Sequence, residues 1–188
     1  RSEYKEAFEK KHGVKLGFMG FFVKACIQAL KEVPAVNAEI DGTDLVYKNY
    51  YHIGVAVGTE KGLVVPVVRN AEALDLWATG AEIRRLANAA REGKAKREEL
   101  SGSTMTITSL GALGGIVTTP VINAPEVAII GVNKITERPV VQGGAVVVRQ
   151  MMNLSSSFDH RIVDGASGAA FVQSLRAYLE LPATLFVE

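Results

Sequence analysis

The chain has 188 residues, 48% of them hydrophobic, with 21 basic against 20 acidic side chains and a mean hydropathy of +0.16. This suits one domain with a full core and leaves apolar surface for subunit contacts. Balanced charge argues against nucleic acid, no apolar run is long enough to span a membrane, and one cysteine, Cys26, excludes an internal disulfide.

Residues 2–12 read as a charged helix closed by Gly13. Residues 16–32 place Phe18, Phe21, Phe22, Cys26, Ala29 and Leu30 at helical spacing, and Pro34 stops the helix. Residues 45–59 and 62–71 are alternating and β-branched, with Thr59 to Gly62 as a hairpin turn. Pro66 marks an edge or a bulge there. Residues 75–92 form a helix that Asp75 caps. A strand at 101–109 follows a glycine turn, and 110–125, "LGALGGIVTTPVINAP", is a long glycine-rich loop. Residues 126–135 form a buried strand, 138–150 a hairpin around Gly143 and Gly144, and 151–158 another strand. The last helix covers 165–179 and ends near Pro182. Helices mixed with hairpin-linked strands give an α/β domain with a mixed sheet.

Few residues offer chemistry. The glycine loop lacks the Gly-Lys-Ser/Thr ending of a phosphate loop. Three His and one Cys, widely scattered, make no zinc site. Cys26 lies on an apolar helix face, where a thiol packs rather than reacts. His12 and His52 have no acidic partner in a motif. His160 and Asp164 differ, lying four residues apart inside "SSSFDHRIVDGASG". That spacing alone fits an ion pair as well as a general base. No Gly-x-Ser-x-Gly elbow accompanies it. The chemistry left open is a His base acting on a nucleophile that the substrates bring.

The full wording goes further. "SFDHRIVDGA" resembles the Asp-His-Arg-x-x-Asp-Gly signature of the catalytic domain of dihydrolipoamide acyltransferases, the cores of 2-oxo acid dehydrogenase complexes. "KGLVVPVVRN", "GSTMTITSLGALGG" and "TPVINAPEVAIIGVNKI" resemble other segments of that family, in the same order. The resemblance covers essentially residues 1–188 and implies a single acyltransferase catalytic domain with the chloramphenicol acetyltransferase fold. It implies His160 as the base for the thiol of dihydrolipoamide or coenzyme A, Thr108 as the hydroxyl donor to the oxyanion, and Asp164 as the residue that orients the His loop. It also implies coenzyme A contacts at Gly58, at Ser109 beside Thr108, and at Asn133 to Ile135. Arg161 reads as a salt-bridge partner.

The resemblance further implies a homotrimer with active sites between subunits, assembled into a cubic or dodecahedral core that receives lipoyl domains. No metal is expected. The chain opens with Arg1 and shows no lipoyl or subunit-binding domain, so the expectation is a catalytic domain lacking its beginning. An oligomeric scaffold without activity is the alternative. "YKEAFEKKHGVKLGFMGFFVKA" is similar to succinyltransferases, whereas the half with His160 and Thr108 is similar to branched-chain or acetyl transferases. Succinyl transfer therefore stays open, as does a bacterial cytoplasm against a mitochondrial matrix.

Overall fold

Helix α1 (Lys5–His12) ends where Gly13 turns left-handed at φ 66°, donating its N–H to the Glu9 carbonyl. The computed structural model describes residues 3–13 and 15–186; Ser2 of the expected first helix lies outside the described residues. Helix α2 (Met19–Glu32) buries Phe22, Val23, Cys26, Ile27 and Leu30 along one stripe. Each such large side chain stabilises the fold by roughly 1.5–3 kcal/mol. Helix α3 (Leu76–Arg91) starts at Asp75, whose side chain accepts the Ala78 N–H at 2.8 Å. Helix α4 (Gly165–Glu180) buries Phe171 and Leu175. No helix of the described residues is long and apolar enough to cross a membrane.

Strands β3 (Ile53–Val55), β6 (Val67–Val68), β7 (Met105–Ser109), β8 (Ala128–Val132) and β11 (Leu154–Phe158) form the main sheet, in the order β11-β8-β7-β3-β6. The β3–β7 and β7–β8 pairs are parallel, and the β8–β11 and β3–β6 pairs antiparallel, so the sheet is mixed as expected. Pro66 precedes β6, the edge strand, where its missing N–H does not interrupt the sheet. Three two-stranded ribbons surround the sheet: β1 (Ala38–Asp41) with β2 (Asp44–Tyr47), β4 (Val57–Thr59) with β5 (Gly62–Val64), and β9 (Thr136–Gln142) with β10 (Ala145–Met151).

The structure corrects the reading of 45–59 as one run, since it breaks into β2, β3 and β4. The Asn37 side chain donates to the carbonyls of Lys48 and Tyr50, at 2.9 and 3.1 Å, which draws that stretch out of any ladder. The β1–β2 hairpin was not expected; its signal was Asp41-Gly42, with Gly42 left-handed at φ 61°.

The two faces of the main sheet differ in chemistry. Met105, Ile107, Ala128, Ile130 and Val132 pack with α2 and α4 in the buried core. The alternate residues Thr104, Thr106 and Thr108, with Gly131, Asn133, Ser155 and Ser157, make the other face largely polar. The glycine-rich segment lies over that polar face, with Thr118 and Pro120 above Gly131.

Candidate active site

His160 sits in the turn between β11 and α4. The turn is built by Asp159. Its N–H extends the ladder to the Val127 carbonyl at 2.8 Å, and its own carbonyl accepts the Ile162 and Val163 N–H groups. The Asp159 carboxylate accepts both the Arg161 N–H and the Arg161 guanidinium, and this ion pair holds its pKa below the usual carboxylate range. Arg161 is therefore the salt-bridge partner that the sequence suggested, and Val163 anchors the turn in the core at 1% exposure. His160 is left exposed at the apex, on the rim of a cleft of about 520 Å³ with Phe158, Asp164, Gly168 and Val172. Gly168 lets α4 approach this strand, because a Cβ there would lie 3.2 Å from the Phe158 ring.

Asp164 is the N-cap of α4, and its carboxylate accepts the Ser167 N–H at 2.7 Å. The Ser167 backbone and side chain lower its pKa most, and the charge of His160 adds to that. The sequence reading saw the pairing with His160 and missed the cap, although Asp followed by Gly at a helix start carries that signal. The sign of the pH effect follows from the lowered pKa. The cap stabilises the fold above the ordinary carboxylate range and is lost as pH falls through the depressed pKa. Asp164→Ala should melt at a lower temperature than the parent at neutral pH, and Asp164→Asn, which still caps, at nearly the parental one. The deficit of the Ala variant should shrink in acid, as calorimetry across pH would show.

Thr108 is the penultimate residue of β7, half-buried on the polar face. The register places it level with Gly131 and, across β8, with Ser155. Phe158 is level with Ala128, three residues further along β11, which is about 10 Å. His160 lies two residues beyond that. Its cleft is on the helix side of the sheet, whereas Thr108 faces the opposite side. Within one chain the structure thus does not bring Thr108 and His160 together.

Ser109, Asn133 and Ile135 do converge. They line one cavity of about 300 Å³ with Phe22, Val132 and Met152, and Lys134 stands at its rim. Asn133 is 3% exposed; its amide donates to Ser155 Oγ and the Asn153 carbonyl, at 2.9 and 3.0 Å, while its Oδ1 is buried without a partner. Gly58 lies in β4 of a separate ribbon and does not line this cavity. Cys26 is fully buried, and burial pushes its thiol up to about 12, so it is no nucleophile at neutral pH. Among the described residues, no group of three His, Cys, Asp or Glu could hold a metal ion.

Comparison with known proteins extends this picture. The family model of the 2-oxoacid dehydrogenases acyltransferase catalytic domain matches residues 1–187. The lipoamide acyltransferase component of the branched-chain alpha-keto acid dehydrogenase complex from Pseudomonas aeruginosa is 58% identical over 93% of this chain and 41% of its own length. The dihydrolipoyllysine-residue succinyltransferase component of the 2-oxoglutarate dehydrogenase complex from Bartonella vinsonii is 53% identical over 100% of this chain and 46% of its own. The chain thus spans less than half the length of these relatives. Two solved structures superpose with TM-scores of 0.94 at 41% identity, over 99% of this chain and 79% of theirs. One is the Azotobacter vinelandii dihydrolipoamide acetyltransferase, studied for the role of a Ser, a His and an Asn in its catalytic mechanism. The other is the cubic core of a pyruvate dehydrogenase multienzyme complex. A chloramphenicol acetyltransferase, at 16% identity over 93% of this chain and 82% of its own, shares the fold with a TM-score of 0.60. The chain belongs to the family of 2-oxoacid dehydrogenase acyltransferase catalytic domains.

Proposed function

We propose that this domain moves an acyl group between dihydrolipoamide and coenzyme A, in the core of a 2-oxo acid dehydrogenase complex. The observation that carries the residue assignment is a spacing. The Ser, His and Asn studied in the Azotobacter enzyme are separated by 52 and 4 residues, as are Thr108, His160 and Asp164. A Thr keeps the hydroxyl of a Ser, and an Asp keeps the helix-capping oxygen of an Asn.

In this reading the His160 imidazole takes the S–H proton of the incoming dihydrolipoamide thiol. The thiolate attacks the thioester carbon of acyl-coenzyme A, and the carbonyl electron pair moves onto oxygen. The Thr108 hydroxyl donates a hydrogen bond to that oxyanion. When the intermediate collapses, the coenzyme A sulfur leaves and takes the proton back from His160. The reverse direction uses the same groups. Asp164 caps the helix that follows the His turn and holds a negative charge near the imidazolium as it forms. A base matters because a free thiol is mostly protonated at neutral pH.

The separation of Thr108 from His160 along the sheet supports a site completed by a second copy, and a homotrimer within a larger core is the assembly we propose. The cavity holding Ser109, Asn133 and Ile135 suits the thioester end of coenzyme A. The Asn133 Oδ1 is buried without a partner, so an amide N–H of the pantetheine arm would reach it only on a shift of the cavity wall. Gly58 has no support from this wall as a coenzyme A contact. Lipoyl domains would bring the other substrate.

Branched-chain and succinyl relatives match this chain almost equally well, so acyl choice needs its own measurement. Acetyl-, isobutyryl- and succinyl-coenzyme A in competition for dihydrolipoamide should give transfer of at least one group. We expect isobutyryl or acetyl to lead, because Phe22, Val132, Ile135 and Met152 wall the cavity with apolar side chains. A stable oligomer with no turnover of any donor would leave a scaffold as the function.

A further inference from the structure

Two of the three serines before the His motif, with Asn153, have a use that base catalysis does not absorb. On the polar side of β11 and the residue before it, Asn153, Ser155 and Ser157 each reach the backbone of the glycine-rich segment. Asn153 Nδ2 donates to the Ile116 carbonyl at 2.9 Å. Ser155 Oγ accepts the Thr118 N–H at 3.1 Å. Ser157 Oγ donates to the Pro120 carbonyl at 2.6 Å. Each partner lies 37 residues away, so the steps of two on the strand meet steps of two on the segment. A strand advances about 6.6 Å for every two residues, and only a segment stretched to the same repeat meets it three times in succession.

We infer that these three side chains form a ladder that fixes the register of residues 116–120 over the sheet, and that Ser155 is through it a positioning residue for acyl transfer. A slip of one residue would break all three rungs. The correct register sets the Thr118 hydroxyl over Gly131, the cross-strand neighbour of Thr108. A Cβ at Gly131 would lie 2.7 Å from that hydroxyl and 3.6 Å from the Ser155 Cβ, so the fit has no slack. Ser155 also accepts from Asn133, a wall of the cavity beside Ser109, at 2.9 Å. One buried hydroxyl thus ties the covering segment, the Thr108 row and the cavity together. The serines lie in the strand that leads into His160, so this strand carries the base at its end and seats the cover along its length.

The positioning role rests on the proposed acyl transfer; the ladder does not. The test is Ser155→Ala in the assembled protein, read by amide exchange, by steady-state transfer and by melting. The Thr118 amide should exchange faster, and kcat should fall about tenfold, as when an outer partner of a site is removed. In a Thr108→Val background the same change should cost clearly less than tenfold, because the Thr108 row that the ladder orders no longer carries a donor and only the Asn133 side of the link remains. An unchanged Thr118 exchange rate overturns the ladder. Faster exchange with unchanged kcat overturns the positioning role, and so does a tenfold loss that persists in the Thr108→Val background. If Ser155→Ala fails to fold, Ser157→Ala removes a half-buried rung at the Pro120 carbonyl and is read in the same way at the Thr118 amide, since Pro120 carries no N–H. If the parent protein transfers no acyl group, the positioning role falls with the activity, while the exchange data still decide the ladder.

Discussion

His160→Ala is expected to lower acyl transfer by roughly 10²–10⁴-fold and to leave the melting temperature where it was. The first half follows from chemistry. A dihydrolipoamide or coenzyme A thiol is a poor nucleophile until it loses its proton, and Cys26, buried with its thiol pushed up to about 12, cannot substitute. The second half follows from structure. His160 is exposed at the apex of its turn, while the turn itself is held by the Asp159 bonds, the Asp159–Arg161 pair and buried Val163. Removing the imidazole therefore deletes a function and not a support. The assay is transfer from acyl-coenzyme A to dihydrolipoamide, with melting in parallel. Retained transfer would remove His160 as the base. If activity were lost together with cooperative melting, the turn would depend on His160 in a way this geometry does not show. Raising the pH supplies thiolate without a base, so the variant should recover part of its rate in alkali, whereas the parent should gain less.

Much of the fold could be read from the residues, because its signals are local. Gly13 and Asp75 mark helix ends by left-handed geometry and by a capping carboxylate, and both hold in the structure. The Gly143-Gly144 turn and the buried strand before it are equally local, and the sheet order is consistent with them. What failed depended on partners distant in sequence. Lys48 to Tyr50 looks like strand, and only the Asn37 side chain, brought near by the fold, removes it from the ladder. The candidate site divides in the same manner. His160 and Asp164 stand out through a motif, but the cap made by Asp164 competes with the ion pair as the reason for its position. Thr108 has no local signature, since a β-branched residue in a strand is ordinary. Ser109, Asn133 and Ile135 meet in a cavity only because β7 and β8 run parallel. The serine ladder was invisible for the same reason. Its rungs are regular, but the regularity appears only when residues 116–120 and 153–157 lie side by side.

Thr108→Val should lower kcat by roughly 10²–10³-fold, about 3–4 kcal/mol of barrier, which is the usual effect of removing one donor to an oxyanion. Val has nearly the shape of Thr and favours strands at least as well, so stability should change little in this half-buried site. Thr108→Ser, which keeps the hydroxyl, should retain most of the activity. The pair of variants thus separates the donor from the strand. The sharper consequence concerns where the site is. Thr108 and His160 lie at different levels of the sheet and on opposite sides of it. Catalysis needs each of them about 3 Å from its target atom, so both have to lie within the width of one thioester. A single chain cannot meet that condition in this arrangement. If the site forms between copies, mixing Thr108→Val subunits with His160→Ala subunits should restore activity that neither variant has alone. Some sites in the mixture would draw an intact Thr108 from one parent and an intact His160 from the other. The mixture has to be made by unfolding and refolding together, so that subunits exchange, with separately refolded samples combined afterwards as the control. Recovery only after joint refolding would place the two halves of the site on different chains. Equal inactivity in both samples, with assembly intact, would mean that His160 and Thr108 serve within one chain, and that the domain must rearrange before it can react.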